Sequence, residues 1–168
     1  MKKTMFLIGL AAFALSSAPA VAAGNKDKAA EAAPIALPKP APGKGMVIFY
    51  RPSSMGFAIK CTVRENGAMV SRVGAKRYHA IEVEPGLHNF TAKTEKTDTV
   101  AVQVEPDEIS YVKCGISMGV MVGRPNLSPG TEQEFQSSAA KLKPMEAEKI
   151  AAEIEKDKSE LASKGASN

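Results

Sequence analysis

Histidine and cysteine are scarce in this chain, with two of each in 168 residues, so few positions can serve as an imidazole base, a thiolate or a soft metal ligand. No nucleophile, base and carboxylate cluster in the sequence. Ser53-Ser54 follows Pro52 with no nearby His or Asp to activate a hydroxyl, so the pair reads as turn residues. No catalytic residue, metal ligand or cofactor site is assigned. A strong charge of one sign is missing too. The formal net charge is +4 and falls to +2 without Lys2 and Lys3, while residues 44–130 carry eleven Lys/Arg against eight Asp/Glu and residues 131–168 six against eight. That balance builds no basic stripe, so nucleic acid is not an expected partner. The apolar run from Met5 to Leu15 is also too short for a spanning helix, which needs roughly 20 residues.

What that run does fit is an export signal. Lys2-Lys3, the apolar run and the small residues Ser16 to Ala22 form the three successive regions of a secretory leader, with Ala20 and Ala22 matching the small-x-small cleavage rule. Residues 1–22 are expected to be removed between Ala22 and Ala23, which leaves no stable membrane span and places the mature chain in the periplasm or outside the cell. No Cys follows the run to take a lipid, and no twin-Arg pair precedes it. Residues 23–44 are rich in Ala, Lys and Pro; Pro34, Pro38, Pro40 and Pro42 favour an extended spacer over helix or sheet.

The domain expected over residues 45–143 is patterned for strands. Gly45 to Arg51 is almost continuously apolar, as a strand covered on both faces would be, and ends at Pro52. Phe57 to Glu65 alternates, which assigns Phe57, Ile59, Cys61 and Val63 to an inward face. Asn66-Gly67 signals a tight hairpin returning through Ala68 to Val73, because a type I′ turn needs φ > 0 at both central residues. Lys76 to Glu84 and Leu87 to Thr94 read as a second hairpin about Pro85-Gly86, followed by strands over 99–105 and 108–116 and a further one over 136–142. Seven or eight short strands with tight turns predict an all-β fold, a small antiparallel β-sandwich. Residues 144–168 then predict a charged helix and tail. Ile150, Ile154 and Leu161 give it a thin apolar seam, and Glu146/Lys149, Glu153/Lys156 and Glu155/Lys158 stand three apart.

The series Pro42-Gly43-Lys44, Tyr50-Arg51-Pro52-Ser53-Ser54, Glu84-Pro85-Gly86-Leu87-His88, Tyr111 to Gly115 and Gly123-Arg124-Pro125 resembles the bacterial envelope family known as domain of unknown function 2846 (DUF2846). The resemblance spans Pro42 to Leu142 and implies a β domain of the cell envelope. The Pro-Gly turn also resembles the small surface modules named for a Pro-Glu-Gly-Ala motif, from which this chain departs by reading Pro85-Gly86-Leu87. Neither resemblance implies an activity.

Four sets of residues remain as candidates. Cys61 and Cys114 share inward strand parity, and an oxidising compartment favours a disulfide between them; two buried free thiols are the alternative. Arg51 and Arg124 each end a strand before a Pro, and would form an anion or partner contact if both strand ends lay on one rim; otherwise they cap loops. His79 and His88 sit four rungs apart in the expected hairpin, about 13 Å, too far to share a metal. Glu82 and Glu84 lie on one face of a strand without an apolar pocket to raise a pKa. The functional expectation is an exported, non-catalytic envelope module that binds a cell-surface polymer or another envelope protein. A small hydrolase or transferase acting on envelope polymers is the alternative.

Overall fold

The computed structural model describes residues 33–121 and 123–165. The expected leader and its Ala22–Ala23 junction lie outside the described residues. Those described are mostly β, in two sheets. The strands are β1 (Gly45–Arg51), β2 (Cys61–Glu65), β3 (Ala68–Val73), β4 (Arg77–Val83), β5 (Gly86–Lys93), β6 (Thr97–Val104), β7 (Ile109–Ser117), β8 (Arg124–Gly130) and the two-residue β9 (Lys143–Pro144). One sheet runs β8-β7-β1-β4-β9 and the other β3-β2-β5-β6. They share a core in which Val47, Phe49, Val112 and Cys114 of the first meet Cys61, Val63, Val73 and Phe90 of the second.

β1 is the axis of the fold. All seven of its residues are buried. Alternate side chains explain how: Val47 and Phe49 face the second sheet, while Met46, Ile48 and Tyr50 pack against Tyr111, Phe135 and Leu142 on the outer side. Phe135 comes from α1 (Glu132–Ser137), a helix opened by a capping box in which the Thr131 hydroxyl accepts from the Glu134 N–H and the Glu134 carboxylate accepts from the Thr131 N–H. Ile35 and Leu37 close the same layer, and the Gln136 side-chain amide bonds both the N–H and the C=O of Ile35. From there to β1 the expected spacer lies on the domain.

Several strand assignments change. Asn66-Gly67 forms the expected turn, with φ of 50° and 84°, and β2 pairs with β3 across it. Pro85-Gly86 makes no hairpin. β4 pairs antiparallel with β1, whereas β5 pairs with β2 and β6, so the dipeptide carries the chain from one sheet to the other. Gly86 has φ of 141°, a conformation a corner between sheets needs as much as a hairpin does. His79 and His88 consequently lie in different sheets. The expected all-antiparallel pairing is corrected as well, because β1 runs parallel to β7 and β4 to β9. Residues 136–142 form the end of α1 and a 3-10 turn, Ala139–Lys141, instead of a strand. Arg124, expected to end a strand, instead begins β8, where Pro125 and Pro129 fit because it is an edge.

Cys61 and Cys114 are disulfide-bonded, with Cα atoms 6.6 Å apart, and join β2 to β7 across the core. In the chain-entropy model, closing a loop of this length stabilises the fold by about 4 kcal/mol. The C-terminal helix, α2 (Ala147–Gly165), lies on β3, with Ile150 buried beneath it. Among the described residues no helix is long and apolar enough to cross a membrane.

Candidate functional site

The parallel pairing of β1 with β7 brings their C-terminal ends to one end of the molecule, where β8 begins opposite Ser117. The loop over residues 52–60, the described loop residues 118–121 and 123, and the turn Thr94 to Lys96 gather on this rim. Arg51 and Arg124 therefore share a rim, where the first is buried against backbone carbonyls and the second is paired with Glu95.

Arg51 is fully buried. Its guanidinium donates to the carbonyls of Met55 and Ile59 and, at 2.9 Å, to that of Gly56, so it gathers the first loop from beneath. Burial pushes its pKa down from the ordinary value. Arg124 is held by Glu95, whose carboxylate accepts from Arg124 Nε at 2.9 Å and from the N–H groups of Val120 and Met121 at 3.0 and 2.6 Å. One carboxylate thus fixes the second loop and neutralises the arginine. Thr94 Oγ1 adds a bond to the carbonyl of Gly123 at 3.4 Å.

What the clamped loops display is apolar. Met55 is 62% exposed, Phe57 78%, Met118 87%, Val120 85% and Met121 87%. The inward face expected for Phe57 is corrected: β2 begins only at Cys61, and the preceding turn lifts the ring into solvent. Between the loops runs an apolar crevice of about 120 Å³, bordered by Met55 and Met118 and floored by Ile59 and Ile116. Two glycines let the loops close over that floor. A Cβ on Gly123 would stand 2.5 Å from Ile59 Cδ1, and one on Gly56, where φ is 61°, would stand 2.9 Å from Ile116 Cγ2.

Residues 41–125 match the family described as protein of unknown function (DUF2846), a span just over half of the chain. The chain belongs to that family. The region shared with DUF2846 runs from the approach to β1 into the start of β8 and contains all three segments of the rim, while α1, β9 and α2 lie beyond it. No curated protein and no solved structure matches the chain.

The other candidates lie in local contacts. Ser53 Oγ accepts from the N–H of Met55 at 3.1 Å, a turn bond. Glu82 accepts from the N–H of Ala41 at 2.8 Å and Glu84 pairs with Lys44, so the two carboxylates fasten the segment leading into β1. His79 Nδ1 meets the hydroxyl of buried Ser71 at 3.0 Å, and desolvation pushes its pKa down. His88 lies 2.7 Å from Glu65 and 2.8 Å from the carbonyl of Glu84, and stacks on Phe90. Among the described residues no three His, Cys, Asp or Glu side chains are placed to hold a metal. The apolar rim went unread in the sequence, because period-two alternation cannot separate a residue leading into a strand from one inside it.

Proposed function

We propose that the protein is an exported, non-catalytic module of the cell envelope, cleaved after Ala22, that binds an envelope component through the apolar rim. One observation carries the reading: five large apolar side chains stand exposed on two adjoining loops, one held from beneath by buried Arg51 and the other by the Glu95 carboxylate. Scattered apolar residues on a surface need no explanation, but a cluster on braced loops points to a contact site. Methionine, unbranched and polarisable, suits a surface that adapts to what it meets. The disulfide supports an oxidising compartment, and the family resemblance supports the envelope.

The test is fractionation of cells making the wild-type chain or the Phe57→Asp, Met121→Asp double variant. The wild type is expected to sediment with envelopes and the variant to stay in the soluble exported fraction, both with the same thermal midpoint. Sedimentation of a folded variant with envelopes, as completely as the wild type, would contradict the proposal.

A further inference from the structure

The charges beside the rim are arranged unevenly. Glu95, the carboxylate between the loops, is neutralised by Arg124, and Asp98 faces inward to accept from the N–H of Leu127 at 2.6 Å. Lys60 pairs with Glu153. Lys93 and Lys96, on either side of Glu95, are exposed and form no ion pair among the described residues. Beneath the first loop, Arg51 adds a buried positive charge whose partners among the described residues are backbone carbonyls. The result is apolar side chains at the loop tips with free cations beside them.

We propose that the component met by the rim is an anionic phospholipid surface, into which Phe57, Met118, Val120 and Met121 insert while Lys93 and Lys96 meet the headgroup phosphates. This deepens, and rests on, the reading of the rim as the contact surface. Apolar side chains reach the boundary between headgroups and acyl chains, roughly 5–10 Å deep, when polar groups beside them can stay at the phosphate level. Lysine suits that level because its stem lies along apolar surface while its ammonium remains in the aqueous layer. The attraction adds to insertion and is confined to about a Debye length, so the cations must be next to the apolar tips, where the β5–β6 turn puts them. A protein partner of ordinary interface size would need a broad complementary face, whereas four side chains on two loop tips suit insertion into a fluid layer.

The chain contains no tryptophan, so Phe57→Trp places at the rim a fluorophore that can be excited selectively over the three tyrosines. The position is exposed, so the larger ring needs no repacking. With vesicles containing phosphatidylglycerol, the emission of this variant is expected to shift to the blue and to be quenched by brominated acyl chains. Vesicles of phosphatidylcholine alone are expected to give a much weaker response, and roughly 0.5 M NaCl to reduce the anionic one. Lys93→Gln and Lys96→Gln should each weaken binding about fivefold. A Leu87→Trp control, exposed at the sheet-to-sheet corner, is expected to keep its emission unchanged. An unshifted Phe57→Trp spectrum with anionic vesicles, or equal shifts at both positions, would overturn the lipid assignment. If sedimentation with envelopes still depended on the rim, that outcome would leave the proposed function standing with a protein or polymer as the component; if it did not, both would fall.

Discussion

At the end of β1, Arg51 shows how a charged side chain can build a surface without belonging to it. Its guanidinium carries three carbonyls of the 52–60 loop, of which that of Gly56 also accepts from the Ile59 N–H at 2.9 Å. Replacing it by Met takes this donor from the carbonyls of Met55, Gly56 and Ile59 and removes hydrogen bonds to a charged group, each of which is worth roughly 1.5–3 kcal/mol. Arg51→Met is therefore expected to cost about 3 kcal/mol or more, read as a lower denaturant midpoint. Arg51→Lys should recover little, because a single ammonium cannot span the carbonyls that the planar fork reaches. A denaturant midpoint equal to wild type in Arg51→Met would show that the loop holds itself. Only half of this was legible: Arg before Pro at a strand end suggested either an anion contact or a loop cap, and nothing in the spacing said that the side chain turns inward.

Among the elements, α2 departs most from its sequence reading. The helix itself is plain in the sequence, with Lys and Glu alternating about a thin seam. Its placement is not, because side chains three apart on a helix look like partners for one another. Glu146–Lys149 and Glu155–Lys158 do pair so, but Glu153 reaches Lys60 at 2.7 Å and Asp157 takes a two-pronged contact from Arg64 on β2. Arg64 holds the Asp157 carboxyl below its ordinary pKa range. Ile150 is buried whereas Leu161 is 45% exposed, so the seam is used at one end only. Ile150→Ala is expected to cost about 2–4 kcal/mol in chemical denaturation and Leu161→Ala less than about 0.5 kcal/mol. Equal, small effects at both positions would mean that the helix does not dock. The strands show the same division. Asn66-Gly67 states its hairpin locally, since both φ angles are positive whatever lies beyond the turn. Pro85-Gly86 states a change of direction but not which strand the chain joins next, and pairing with β1 is a long-range outcome that no dipeptide encodes. The Thr131-x-x-Glu134 pattern did carry a helix start, visible as a capping box once residues 131–135 are read for caps instead of alternation.

On the scale of the whole molecule, the disulfide and the buried β1 fix two sheets about one core, and the parallel β1–β7 pair collects three loop segments at one end. The cysteine pairing was readable from strand parity. The rim was not, since it depends on which strand ends coincide. That rim is the central claim, and photo-crosslinking in cells tests it most directly, with a photoreactive amino acid placed at Phe57, at Met118 and at Leu87, the last as an exposed apolar control away from the rim. The expected result is adducts with envelope material from Phe57 and Met118 and none from Leu87. Adducts from Leu87 alone, or the same adducts from all three positions, would contradict a rim-mediated contact.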